Sequence, residues 1–248
     1  MIIIKSINEI QAMQKAGKIA AGALVVAGEN VKSGVSTLEI DNIIRDYILS
    51  FNAKPSFLGY NNFPKSCCIS LNNEVIHGIP DNRILKEGDI VSIDVGAYLN
   101  GVHSDCANTF SVGEISKEAK KLNEVTKQAF FEGIKFCKEG YRIGDIGYAI
   151  QSFVESYAFS VVRQFVGHGV GFSLHEDPSV PNFGNKGQGI RLIKGMTFAI
   201  EPMVNEGTHE VNILNNGWTV VTNDSKLSSH YEHTIAITED EPIILTLP

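Results

Sequence analysis

The chain has no run of apolar residues close to the roughly 20 needed to cross a bilayer as a helix, and it has no cationic excess. Its 21 lysines and arginines are outnumbered by 28 acids, for a formal net charge of −7 over 248 residues. The first absence predicts no membrane partner, and the second argues against a surface built for phosphate backbones, so no DNA is expected. Cysteine is scarce: Cys67, Cys68, Cys106 and Cys137 are all there are, with no C-x-x-C pair and no zinc-site spacing. Cys67 and Cys68 are adjacent and poorly placed to bond to each other, so all four read as reduced thiols. Met1 to Ile10 lacks a basic leader, a long apolar core and a cleavage site, which predicts a cytoplasmic protein. No low-complexity segment or linker divides the chain, so one domain over residues 1–248 is expected, long enough to bury a core unaided.

What is present centres on Asp89 to Phe110, DIVSIDVGAYLNGVHSDCANTF. Two runs rich in β-branched residues flank Asn100-Gly101, a pair suited to the positive φ angles of a two-residue hairpin turn. Counting back from that turn pairs Leu99 with Val102 and Asp94 with Ala107, and it sets Asp105 on the same sheet face, one diagonal step from Asp94. Two readings compete for this pair of acids. On a solvated edge hairpin they are ordinary surface residues. Half buried, they repel each other and need a positive charge between them.

Elsewhere, capping boxes at Ser6-Glu9 and Ser36-Glu39 open two helices, the first running to about Gly28 and the second carrying Ile40, Ile44, Tyr47 and Ile48 inward. Ser66 to Leu71 reads as a short strand, and Asn72 to Pro80 as a loop that brings His77 back over the sheet. A third helix from Ser116 is closed by Gly140, and a fourth covers Asp145 to about Tyr157. Val161 to Val166 leads to the glycine-flanked His168 and a loop holding His175, and Met196 to Val204, Trp218 to Thr222 and Tyr231 to Thr238 read as strands. The motif Gly88-Asp-Ile-Val-Ser-Ile-Asp94 is echoed by Gly195-Met-Thr-Phe-Ala-Ile-Glu201, and Gly34 to Ile40 by Gly140 to Ile146. This internal repeat divides the chain into roughly 1–113 and 114–248 and closes the same strand with an acid in each half.

Halves related by a pseudo-two-fold axis bring equivalent strands together, so Asp94, Asp105, Glu201 and a late acid can converge. Glu232, among β-formers near the end of the sheet, is that late acid. His168 lies between Gly167 and Gly169, which remove side-chain bulk around the imidazole. Alone it is a turn residue as readily as a ligand, but beside four acids it supplies the nitrogen of a mixed oxygen and nitrogen site. Four carboxylates and one imidazole exceed what one divalent ion requires and suit two. Without a thiolate, the set fits Co²⁺, Mn²⁺, Fe²⁺ or Zn²⁺ rather than a structural zinc site.

The chain resembles the type I methionine aminopeptidases of peptidase family M24, in their bacterial form. The resemblance is carried by Asn73-Glu-Val-Ile-His-Gly-Ile-Pro80, Ser92-Ile-Asp-Val95 with Ser104-Asp-Cys106, Gly167-His-Gly169, Phe198-Ala-Ile-Glu-Pro-Met203 and Tyr231-Glu-His-Thr234. These motifs span nearly the whole chain in family order. The family implies an α+β pita-bread (creatinase/aminopeptidase) fold: pseudo-two-fold duplicated halves with a central curved antiparallel sheet covered by helices. It implies the same five metal ligands, Asp94, Asp105, His168, Glu201 and Glu232. It adds His77 and His175 as substrate-facing groups, with His175 near the scissile carbonyl, and Glu201 as a proton relay to the leaving amine. Tyr60, Phe63, Cys68 and Trp218 would line a methionine pocket.

The activity so implied is hydrolytic removal of the initiator methionine from nascent or newly made polypeptides, favoured by a small second residue. A monomer with transient ribosome association is expected. Leu174, where the family often has an aromatic residue, and Phe57 and Phe63, where members vary, leave the pocket's shape open. The short intervals between His168, Glu201 and Glu232 leave no room for the helical insertion of type II enzymes, and Met1 lies close to the first helix, without the zinc-binding extension of eukaryotic members. Two rivals stand: a proline-directed peptidase of the same fold, and a non-catalytic module that binds protein or RNA.

Overall fold

The structure, a computed structural model, describes residues 1–248. Helices form where apolar spacing and caps coincide. α1 (Ile7–Glu29) and α2 (Thr37–Ser50) each begin at a complete capping box, in which the Ser6 or Ser36 hydroxyl accepts the third residue's N–H and Glu9 or Glu39 reaches back to the serine amide. α3 (Lys117–Ile134) starts at the Ser116 cap but stops well before Gly140, because the chain tightens there into turns in which Phe136 N–H donates to Gly133 and Cys137 N–H to Ile134. α4 (Ile143–Glu155) begins two residues earlier than expected: Asp145 lies inside the first turn and accepts the Arg142 amide.

Fifteen strands complete the chain: β1 (Lys54–Pro55), β2 (Cys68–Leu71), β3 (Glu74–Ile76), β4 (Ile90–Leu99), β5 (Val102–Ser111), β6 (Ser160–Val161), β7 (Gly167–Gly169), β8 (Glu176–Val180), β9 (Thr197–Ile200), β10 (Met203–Asn205), β11 (Val211–Ile213), β12 (Val220–Thr222), β13 (Ser228–His230), β14 (Glu232–Ala236) and β15 (Ile243–Ile244). A nine-stranded sheet runs β1-β4-β5-β14-β9-β7-β8, with β2 also on β4 and β15 on β14. Two three-stranded sheets, β13-β10-β6 and β11-β12-β3, flank it. All of the pairings are antiparallel.

The hairpin register is as expected. Asn100 (φ 50°) and Gly101 (φ 93°) make the turn, Leu99 pairs with Val102, and Asp94 faces Ala107. Several short elements differ. Asn72 to Pro80 is not all loop, since β3 pairs with β12. β6 ends at Val161, while the segment after His175 becomes β8 against β7. Met196 to Val204 breaks at Glu201-Pro202: proline cannot donate a ladder hydrogen bond, and the chain passes from the large sheet at β9 to a small one at β10.

Each helix pair backs its own part of the large sheet. Ile40, Ile44 and Ile48 of α2 bury fully with Ile69 of β2 and Ile93 of β4. Ile146, Ile150 and Val154 of α4, with Phe130 of α3, do so with Phe198 of β9 and Ile235 of β14. Each such side chain contributes about 1.5–3 kcal/mol, enough collectively to hold the strands between them in fixed register.

Candidate metal centre

The site is built by sheet register. β4, β5, β14, β9 and β7 are consecutive neighbours in the large sheet, and each brings one of the five expected ligands. Asp94 of β4 faces Ala107 of β5, and Ala107 faces Glu232 of β14, which sets Asp94 and Glu232 in one row of side chains. Asp105 sits two residues from Ala107 on that same face. Glu201 follows immediately after β9, whose Ile200 pairs with His233 beside Glu232. His168 is the middle residue of β7.

The glycines beside His168 serve the backbone more than the ring. A Cβ on Gly167 would lie 2.5 Å from the Ala199 carbonyl oxygen, and one on Gly169 would lie 2.3 Å from that of Asp177. The neighbouring strands β8 and β9 press so close to β7 that only glycine fits. His168 Nδ1 lies 3.0 Å from the Gly169 carbonyl oxygen, which can only accept. The proton therefore resides on Nδ1, and Nε2 carries the free lone pair. That Nε2 is 3.5 Å from Glu201 Oε1.

One ligand atom each from Asp105, His168 and Glu232 lie within 4.8 Å of one another. Asp94 Oδ1, Asp105 Oδ1 and Glu232 Oε1 are buried with no hydrogen-bond partner. No lysine or arginine lines the surrounding cavity. Buried acids with free lone pairs and no cationic side chain must either stay protonated or share a cation, and an oxygen and nitrogen donor set fits a divalent ion.

The acids respond to burial as that argument requires. Burial, then Asp105 and Glu201, pushes the Asp94 carboxyl well above the usual range. Burial takes Asp105 up to about 7. Glu201 and Glu232 rise well above theirs through burial and then the charge of Asp105. The imidazoles move the opposite way, with burial as the first cause: His168 and His230 fall to about 3 and His77 to about 4.

A pH dependence follows for the protein without a cation. Carboxyls whose folded pKa exceeds the unfolded value hold extra protons when folded, so stability falls as pH rises from about 4 toward their raised values. The depressed histidines oppose this, but only below their ordinary 6.5. Calorimetry should show Tm falling from about pH 6.5 to about 8 in chelator, and a much flatter profile with a saturating divalent ion.

All eleven residues singled out from the sequence line one cavity of about 420 Å³. His175 stacks on Tyr60 (ring centroids 5.1 Å apart, 23° between planes), and its ring centroid lies 4.0 Å from that of His168. His77 takes a left-handed backbone (φ 59°), uncommon outside glycine. Its ring is met edge-on by Phe165 at 5.9 Å and Trp218 at 6.2 Å. Phe57, Phe63, Cys68 and Leu174 form a buried apolar group against Tyr60 and Trp218, with Cys68 paired across the strands to Asp94. All four cysteines are free and buried.

Sequence reasoning passed over His230. Its Nε2, buried and without a hydrogen-bond partner, lies 3.9 Å from both Glu201 Oε2 and Glu232 Oε2. The signal was proximity, since His230 stands two residues before Glu232 on an adjoining strand. Phe165 and Gln164 also line the cavity unannounced.

A helix-backed antiparallel sheet whose adjoining strands aim four acids and an imidazole into one cavity has the architecture of a metallopeptidase. The sequence model for metallopeptidase family M24 matches residues 11–239. The chain is 55% identical over 247 residues to the methionine aminopeptidase of Clostridium perfringens, covering 100% of this chain and 99% of that one. It is 51% identical over 246 residues to methionine aminopeptidase 1 of Bacillus subtilis, covering 99% of each. The crystal structure of the Thermotoga maritima methionine aminopeptidase superposes with a TM-score of 0.98 at 45% identity and full coverage of both chains. The chain belongs to family M24, among its methionine aminopeptidases, and has their α+β pita-bread fold. A divalent metal requirement comes with that family.

Proposed function

We propose that this chain hydrolyses the N-terminal methionine from nascent and newly made polypeptides, most readily when the second residue is small. The observation that carries the reading is a single cavity lined by four acids, three imidazoles and a buried apolar group. Asp94, Asp105, His168, Glu201 and Glu232 would hold two divalent ions, Co²⁺, Mn²⁺, Fe²⁺ or Zn²⁺ by donor chemistry. Such ions, when bound, supply Lewis acidity and a water activated as nucleophile near neutral pH.

The chain's own residues account for the rest. Glu201 lies in the cavity beside His168 Nε2, where its carboxylate can take up a proton and return it to the leaving amine. Burial keeps His175 neutral, and a neutral imidazole N–H can donate to the carbonyl oxygen as charge develops there. His77, fixed between Phe165 and Trp218, would steady the peptide on the other side. Tyr60, Phe63, Cys68 and Trp218, with Phe57 and Leu174, offer the polarisable apolar contacts a thioether favours.

Residues 1–248 would act as one catalytic domain of two duplicated halves, a reading supported by the two helix pairs that each back their own strands. We place it in the cytoplasm as a monomer that meets N-termini, transiently at the ribosome. Free buried cysteines support the reducing compartment, and no helix is long and apolar enough to cross a membrane.

The test is release of methionine from Met-Ala-Ser and Met-Pro peptides against Ala-Pro substrates; faster cleavage of Ala-Pro would instead make this a proline-directed peptidase. Trp218→Ala should raise KM for Met-Ala-Ser about tenfold or more through lost apolar contact, with kcat changed far less. Steady-state kinetics on the two proteins checks this.

A further inference from the structure

The ion pair between Lys5 and Glu176 plays no part in the chemistry above, yet it is nearly sealed from water, with side-chain exposures of 1% and 4%. Lys5 precedes α1, and its own backbone is tied down: Lys5 N–H donates to the Gly195 carbonyl at 2.8 Å. Its ammonium also donates to the Ile3 carbonyl at 3.1 Å and lies 5.7 Å from the centre of the Phe172 ring. Glu176 directly follows His175. One of its oxygens meets the Lys5 ammonium, and the other accepts the Ser173 amide at 3.0 Å. The connection between β7 and β8 is therefore folded around this one carboxylate.

Space is as tight as charge. A Cβ on Gly171 would lie 2.4 Å from Lys5 Cε, 2.6 Å from its Nζ and 2.8 Å from Glu176 Oε1. The Gly171 carbonyl accepts the His103 amide at 2.7 Å, anchoring the near end of the turn on β5. The turn so held presents Leu174 to the apolar group and His175 to Tyr60 and His168.

We propose that Lys5 is a positioning residue: its buried ammonium fixes the turn from Gly171 to Glu176, and through it the placement of His175. This rests on the role given to His175 above. Removing one partner of a buried pair strands the other charge, whereas neutralising both is far less costly. Without the ammonium, Glu176 regains water only by drawing the turn outward, and His175 moves with it.

The experiment compares the full-length, metal-reconstituted wild type with Lys5→Met and with Lys5→Met/Glu176→Gln, which keeps an acceptor for Ser173 but removes the stranded charge. Lys5→Met should speed amide hydrogen exchange across 171–176 about tenfold or more, with α3 and α4 unchanged. It should lower kcat on Met-Ala-Ser about tenfold while KM changes less than about threefold. The double variant should recover most of both effects. Exchange that rises uniformly along the chain, a kcat within about twofold of wild type, or no recovery in the double variant would each overturn the proposal. Should Lys5→Met fail to fold, Lys5→Arg retains the charge but displaces it. A localised rise in exchange with a lowered kcat supports the proposal, and equality with wild type in both overturns it. A wild type that releases no methionine would defeat the functional reading, while the exchange comparison would still decide the role of Lys5.

Discussion

Asp94→Ala is expected to lower kcat/KM on a methionyl peptide by about a thousandfold or more, because several kcal/mol of transition-state stabilisation depend on the centre it helps to build. The fold should survive the change. Asp94 lies in a ten-residue strand paired on one side with β2 and on the other with β5, and its neighbours Ile93 and Val95 are fully buried. Alanine also removes one of four mutually repelling acids, so without a cation the variant should melt no lower than wild type. Peptide turnover and thermal melts in chelator read the two effects separately. Near-normal turnover in the variant would contradict the assignment of Asp94.

Exhaustive chelation should be the second large effect, taking methionine release below about 1% of its starting value, with recovery on adding back a single divalent ion. The same addition should raise stability. An ion that binds only the folded chain contributes about 2.7 kcal/mol at a hundred times its dissociation constant, or roughly 5–10 °C in Tm for a chain of this length. Activity that persists after complete removal of divalent ions, or a Tm indifferent to them, would contradict the reading. Parallel assays with Co²⁺, Mn²⁺, Fe²⁺ and Zn²⁺ rank the ions by the activity each restores.

The parts of the fold legible in the sequence were those with local, redundant signals. Ser6-Glu9 and Ser36-Glu39 announce their helices because each box satisfies two otherwise orphaned amides within four residues. Asn100-Gly101 sets a register that then determines every pair from Leu99 and Val102 back to Ile90 and Ser111. That register alone places Asp94 and Asp105 on one face. The echo of Gly88–Asp94 in Gly195–Glu201 led to the third acid, and the glycines around His168 marked the imidazole.

What was not legible is equally physical. β3, β11 and β13 have three residues each, too few for alternation to register, and β3 and β13 exist only because β12 and β10, not their neighbours in sequence, pair with them. Met196 to Val204 looked continuous because only Thr197 interrupts its apolar run up to Glu201, while the change of sheet at Pro202 is a tertiary event. His230 carried no pattern of its own, and its place near Glu201 and Glu232 appears only when β13 pairs with β10, where His230 faces Met203 just beyond Glu201. Lys5 is in the same position: Glu176 lies 171 residues away, and nothing local marks either as buried.

The account depends on cations bound among Asp94, Asp105, His168, Glu201 and Glu232. Crystals grown with saturating Mn²⁺ and measured near the manganese absorption edge test this most directly. Two anomalous peaks are expected, roughly 3.5–4 Å apart and within bonding distance of those five side chains. No peak in that cavity, or peaks held by other residues while these carboxylates face solvent, would contradict it.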